Sequence, residues 1–132
     1  FIFDVAEQAI KQGIYPHTIS SDIYCRNRIT GPVHSLATVM SKFFTIGLNL
    51  EQVIRCVTEN AAQALRLTGK GVLAAGFDAD LTIFEVKQQP QVFVDSEGKS
   101  VTGEKYLLPL AAVVAGDLVL TDEGKSHDVF DL

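Results

Sequence analysis

Thr18-Ile19-Ser20-Ser21-Asp22 and Gly71-Val72-Leu73-Ala74-Ala75-Gly76-Phe77-Asp78-Ala79-Asp80-Leu81 are the two stretches whose reading decides the fold. A β-branched run that ends in an aspartate puts a carboxylate at the carboxyl end of a strand, where parallel sheets, open or closed, collect their catalytic groups. On the amino-terminal side, Ile14 to Ser21 with Pro16 reads as a loop entering a short buried strand that Asp22 ends. Before it, Asp4 with Glu7 three residues later, then Ala9 and Ile10 ahead of Gly13, predicts a capped short helix with a glycine stop. After it, Tyr24 to Val33 is turn-rich and polar through Arg26, Asn27, Arg28, Gly31 and Pro32. That is the composition of a loop over the strand's carboxyl end, and the best place for substrate contacts.

Leu36, Val39, Met40, Phe43 and Phe44 fall on one helical face that stops at Gly47, a pattern read as core packing. Asn49 with Gln52 is a capping pair, and Leu50, Val53, Ile54, Val57, Ala61, Ala64 and Leu65 continue as a second apolar stripe, read as one helix. From Gly69 the period changes to short β-rich runs, 81–86, 91–94, 110–115 and 118–121, so a domain boundary is placed there. Asp95-Ser96-Glu97-Gly98, Gly116-Asp117 and Asp122-Glu123-Gly124 supply turn chemistry tolerant of positive φ. Residues 126–132 read as a loosely held tail.

The chain has 132 residues, 47% of them hydrophobic and 20% charged, which suits one globular-sized piece. A net charge of −5 without a basic run argues against a nucleic-acid partner. No apolar stretch approaches the roughly 18 residues of a membrane span and no signal-peptide order opens the chain, so a cytoplasmic protein with no membrane partner is expected. Cys25 and Cys56 form no C-x-x-C pair and are read as free thiols.

Taken in order, these pieces resemble the carboxyl-terminal third of the amidohydrolase superfamily, in particular its dihydroorotase-like and deacetylase-like metal-dependent branch. The resemblance rests on the strand-end aspartate of 18–22, the Gly31-Pro32-Val33 turn, the helix of 57–67 and the 70–84 segment. In relatives a helix of the type N-P-A-x-x-L-G-L precedes a G-x-L-x-x-G-x-D-A-D strand; here Ala61 stands where the proline would be and Arg66 where the glycine would be. The resemblance implies an α/β fold. Residues 1–68 would be the last strand and helices of a (β/α)8 TIM-type barrel, and residues 69–132 part of a small β-sandwich domain. A complete barrel needs about 250 residues, so the barrel is expected to be incomplete, and a start at Phe1 suits a truncated or processed chain.

The resemblance also implies the chemistry. Asp22 would take a proton from a water activated by one or two divalent metals, zinc by expectation, during attack on an amide or cyclic amide carbonyl. It would then pass that proton to the leaving nitrogen, touching the metal site itself. A metal lowers the pKa of bound water to about 7, which gives a neighbouring carboxylate its role. Gly31, Pro32, His34 and Arg26 would contact substrate, Arg26 and Arg28 through a planar fork of donors. Each has a plainer reading: Asp22 as a turn cap, His34 as a partly exposed helix start, the arginines as solvated. The relatives' metal ligands, a His-x-His pair on the first strand, a lysine or glutamate on the fourth and histidines on the fifth and sixth, lie on strands outside this chain. His17, His34 and His127 have no ligand spacing, and Asp78 and Asp80 read as a turn and strand start, so the chain alone is not expected to hold zinc.

The expected protein is therefore a metal-dependent hydrolase of C–N bonds other than peptide bonds, acting on a small-molecule amide. It would be a homo-oligomer or associate with the remaining barrel. Three rivals stand beside it: a non-catalytic dihydroorotase-like assembly subunit, another superfamily member such as a deaminase or isoaspartyl-type peptidase, and a β-rich binding module beginning near Gly69.

Overall fold

The computed structural model describes residues 1–25, 29, 31 and 35–126. Its elements are helices α1 (Phe3–Lys11), α2 (Leu36–Thr45), α3 (Leu50–Val57) and α4 (Glu59–Ala64), strands β1 (Leu81–Lys87), β2 (Gln91–Val94), β3 (Ser100–Gly103), β4 (Tyr106–Val114) and β5 (Asp117–Leu120), and a closing helix α5 (Asp122–Lys125). The strands form two antiparallel sheets, one in the order β1-β4-β5 and a two-stranded β2-β3 ribbon. β3 escapes a sequence reading because Ser100-Val101-Thr102-Gly103 offers a single apolar residue to the pattern.

The core is continuous across the helical and β-rich segments: Phe3, Ile19, Val39, Met40, Leu48 and Val53 cluster with Phe93 and Leu107. α2 supplies the seam. Ser41 is buried, its hydroxyl donating to Ala37 O (2.7 Å) while its oxygen accepts from Leu107 N of β4 (2.9 Å). A buried hydroxyl with both capacities used costs little to desolvate, so the periodic α2 stripe tolerates a polar residue in its buried face.

Beside it lies a charged knot that the apolar pattern did not reveal. Lys42 and Asp95 are only 1% and 2% exposed. Lys42 Nζ donates to Val94 O (2.6 Å) and sits 5.9 Å from the Phe1 ring centroid. The Asp95 carboxylate accepts from Glu97 N and Lys99 N (2.9 Å each), closing the β2–β3 turn, and from Phe3 N (3.1 Å) at the start of α1. Helix α1 is therefore not capped locally, as Asp4 and Glu7 predict: its N-cap is Ile2, without a side-chain bond, and both acids lie inside the helix. A carboxylate from a distant hairpin satisfies one of the orphan N–H groups and faces the positive end of the helix dipole.

Residues 14–21 pair with no strand of either sheet, and the barrel strands expected beside them lie outside this chain. Two further expectations are corrected. The stripe of 50–65 is two helices broken at Thr58 (φ −121°, ψ −95°), whose hydroxyl donates to Ile54 O (2.8 Å), a back-bond that bends helices. Asp122-Glu123-Gly124 is the start of α5 rather than a hairpin turn, with Thr121 as its cap. A Cβ on Gly124 would lie 1.9 Å from Leu110 O, so glycine is needed there for close packing.

Phe3 is fully buried at the centre of these contacts. Phe3→Ala is expected to cost about 3–5 kcal/mol in urea unfolding. The charged knot predicts that stability rises with pH in two separate windows. Burial pushes the Asp95 pKa up, but the N–H groups of Phe3, Lys99 and Glu97 and the Lys42 charge outweigh it and hold the carboxyl below its usual range. Its stabilisation is thus present above the unfolded carboxylate pKa of about 3.9 and lost as pH falls through the folded value. Burial, only partly offset by Asp95, holds Lys42 below the ordinary lysine range, so stability rises as pH climbs from the folded value toward about 10.4. Unfolding titrations across pH should show Asp95→Asn flattening the acid limb and Lys42→Met flattening the alkaline one.

Candidate active site

The segment that ends at Asp22 is held from outside rather than by strand pairing. Ile19 N donates to Cys56 O (3.2 Å), Cys56 Sγ to Pro16 O (3.2 Å) and Asn60 Nδ2 to His17 O (2.9 Å). All three bonds run to α3 and α4, so these helices fix where the chain delivers Asp22. Cys56 is buried and burial pushes its thiol pKa up, which suits a hydrogen-bond donor and not a nucleophile. His17 takes part through its backbone carbonyl, as a structural residue.

Asp22 itself is exposed and adopts a left-handed backbone, φ +49°. Such a conformation is uncommon outside glycine, and aspartate is among the few side chains that tolerate it. Strained residues of this kind cluster at functional sites. The residues that follow, Ile23, Tyr24, Cys25 and Ile29, line an open-sided depression of about 610 Å³. The loop of 24–33 is polar by composition, yet its described residues Tyr24, Cys25 and Ile29 line the depression together with Ile23 before it. Gly31 is half-buried with φ +73°. Arg26, Pro32 and His34, with Arg28, Val33 and His127, lie outside the described residues.

Asp78 and Asp80 are engaged in structural bonds. Lys70 pairs with both, at 2.8 Å from Asp78, and Asp80 Oδ1 also accepts from Ala115 N (2.9 Å). The Asp78 and Asp80 hydrogen bonds hold the Lys70 ammonium above its ordinary range, and Lys70, then the Ala115 N–H, holds Asp80 below its own. The bond to Ala115 organises the β4–β5 turn, where Ala115 (φ +51°) and Gly116 (φ +92°) are the two central residues. That turn lies one residue earlier than Gly116-Asp117 suggests, with Asp117 already in β5. Among the described residues no group of three or more His, Cys, Asp or Glu side chains is placed to hold a metal ion.

The two departures at Ala61 and Arg66 acquire a physical meaning. α1 and α2 end in the same way: Gly13 N bonds Ile10 O while Ile14 N bonds Ala9 O, and Gly47 N bonds Phe44 O while Leu48 N bonds Phe43 O, with both glycines at positive φ. α4 repeats this paired closure, Arg66 N to Gln63 O (3.1 Å) and Leu67 N to Ala62 O (2.9 Å), but with Arg66 at φ +55° in the glycine position. Ala61 lies in the first turn of α4, where a proline would leave no intrahelical bond unmade. The turn must be exact because Gly71 packs on it: a Cβ there would meet Ala62 Cβ at 2.7 Å and Thr58 O at 2.9 Å.

The model of the amidohydrolase family matches residues 3–103, and the chain belongs to that family. It is 39% identical to a deacetylase of Enterococcus faecalis over 118 residues, 89% of this chain and 32% of the relative. It is also 35% identical to an imidazolonepropionase of Pseudoalteromonas atlantica over 80 residues, 60% of this chain and 19% of the relative. Among solved structures it is similar to an adenine deaminase (TM-score 0.88, 38% identity, 92% of this chain and 33% of that one). It is also similar to a dihydroorotase (TM-score 0.83, 33% identity, 91% and 32%). The chain spans about a third of the length of the curated deacetylase it matches.

A left-handed Arg66 carries a backbone cost that glycine does not. Arg66→Gly is expected to stabilise the fold by about 0.5–1 kcal/mol after the added chain entropy of glycine is subtracted. Thermal unfolding of the two proteins side by side checks this; an unchanged or lower midpoint would place the strain elsewhere.

Proposed function

We propose that the chain is the Asp22-bearing carboxyl-terminal part of a hydrolase that cleaves the C–N bond of a small-molecule amide or cyclic amide. The observation that carries this reading is Asp22 itself: an exposed carboxylate on a left-handed backbone, delivered by a segment pinned to α3 and α4, within a chain whose residues 3–103 match the amidohydrolase family. In the proposed reaction the carboxylate of Asp22 accepts a proton from water as the water oxygen bonds to the carbonyl carbon. It then returns that proton to the nitrogen as the C–N bond breaks, leaving an acid and an amine. Proteins of the amidohydrolase family generally bind divalent metals. The reading includes one or two such ions, zinc being the proposed one, with Asp22 as this chain's contribution and the other ligands outside the described residues.

The reading extends to the parts that position Asp22. Residues 1–68 are proposed as the last strand and helices of a TIM-type barrel and residues 69–132 as part of a small β-sandwich domain, with Gly31, Pro32, His34 and Arg26 over the mouth. The change from helices α1–α4 before Gly69 to strands β1–β5 after it supports a boundary there. Exposed apolar side chains such as Leu73, Leu65, Val5 and Ile14 support association with the rest of a barrel or with further copies. No helix among the described residues is long and apolar enough to cross a membrane; a cytoplasmic location is part of the same proposal.

A deaminase reading is favoured by one observation, the likeness to an adenine deaminase at 38% identity. It differs in the atom attacked, a ring carbon bearing an amino group, and uses Asp22 in the same way. Hydrolysis of N-acetylated amines against release of ammonia from amino-purines separates the two. In the full-length gene product, Asp22→Asn should lower kcat by about 10²–10⁴-fold with the unfolding midpoint unchanged. Undiminished turnover in that variant would remove Asp22 from the proton path. Absence of turnover in the unaltered protein across both substrate classes would leave the non-catalytic assembly role.

A further inference from the structure

The segment leading to Asp22 is gripped at the joint between two helices. α3 stops at Val57 and Thr58 leaves helical geometry (φ −121°, ψ −95°). A helix end leaves carbonyls of its last turn open, and that of Cys56 accepts from Ile19 N (3.2 Å). On the other side of the joint Asn60 is the second residue of α4, and its amide reaches out of the helix: Nδ2 donates to His17 O (2.9 Å), across 43 positions of sequence. The joint thus offers one acceptor and one donor to residues two apart, the pair of groups that a neighbouring strand would present. Asp22 follows three residues after Ile19, on its left-handed backbone (φ +49°).

From this arrangement we infer that Asn60 is a positioning residue for the Asp22 carboxylate, acting through the carbonyl of His17. The inference rests on the reading of Asp22 as the hydrolytic carboxylate. His17 is exposed, so water can replace a lost donor at its carbonyl and the cost in stability is small. Water does not, however, fix where that carbonyl lies. The backbone of 17–19 then hangs on Cys56 alone at this joint, and a short connection carries the displacement on to Asp22. Proton transfer demands a carboxylate within hydrogen-bond reach of the reacting atoms, and a misplacement of about 1 Å can cost about 10²-fold in rate. Asn60 therefore matters more to turnover than to folding.

The test uses the full-length gene product with Asn60→Asp, which keeps the size of the side chain and exchanges the donor for an acceptor, and with Asn60→Ala, which deletes it. Amide hydrogen exchange over 17–22 should speed up about tenfold in both, while the α2 amides of Val39 and Met40 stay within about threefold. On N-acetylated amines or amino-purines, whichever the unaltered protein turns over, kcat should fall about tenfold or more with KM within about threefold. Added to Asp22→Asn, Asn60→Asp should lower turnover by less than about twofold further, because its effect passes through that carboxylate. Unchanged exchange over 17–22, an unchanged kcat, or a full tenfold loss in the Asp22→Asn background would overturn the role of Asn60. Undiminished turnover in Asp22→Asn alone would fell the parent reading, and the exchange over 17–22, which does not depend on turnover, tells that failure apart from this one.

Discussion

The Asp95 carboxylate is the contact on which the arrangement of this chain depends. It is buried, closes the β2–β3 turn through Glu97 N and Lys99 N, and caps α1 through Phe3 N, tying residues more than ninety positions apart. Lys42, reaching Val94 O from α2, brings the third body to the same point. Burying two charges is costly, and replacing one partner strands the other, so such a knot contributes more to a unique arrangement than to net stability. With α1, α2 and the β2–β3 ribbon locked together, the hydrophobic cluster from Phe3 to Leu107 has one way to close. α3 and α4 then follow α2 through the capping box at Asn49 and Gln52, and the segment leading to Asp22 is hung on them.

Position at the candidate site is thus inherited from helix ends. The break at Thr58 creates two helices where one would otherwise run, and Gly71 enters the space this leaves with no room for a side chain. The same two helices hold Pro16, His17 and Ile19. A local distortion at Arg66 or Thr58 therefore acts on both the loop of the seventies and the approach to Asp22, through contacts and not through the carboxylate. The Lys70 pairing with Asp78 and Asp80, and the Asp80 bond to the β4–β5 turn, fasten the far side of that loop to the sheet.

Much of this was legible in the residues. The heptad-like spacing of 36–44, the Asn49–Gln52 pair and the glycine stops at Gly13 and Gly47 announced α1, α2 and α3 because those signals are local. β1, β2 and β5 were legible as β-branched runs between turns. What escaped depended on partners remote in sequence: the Asp95 cap of α1, the burial of Lys42, and β3, which is a strand because β2 pairs with it. The stretch 14–21 has strand composition, and the neighbours that a barrel strand would pair with lie outside this chain. At the candidate site, Asp22 was singled out by its place after Thr18 and Ile19 and its catalytic role is a proposal, while the apolar Ile23 and Tyr24 stand directly beside it and Ile29 lies behind two arginines and an asparagine.

The central claim is that this chain supplies the Asp22 carboxylate to a larger amidohydrolase-family enzyme. The most direct measurement is the intact mass of the natural gene product together with its metal content by elemental analysis. The account predicts a product about three times this length, in keeping with the 32% of the deacetylase relative that the chain covers, carrying one or two divalent ions. A product of this length that purifies without metal would contradict it and leave Asp22 without a reaction to serve.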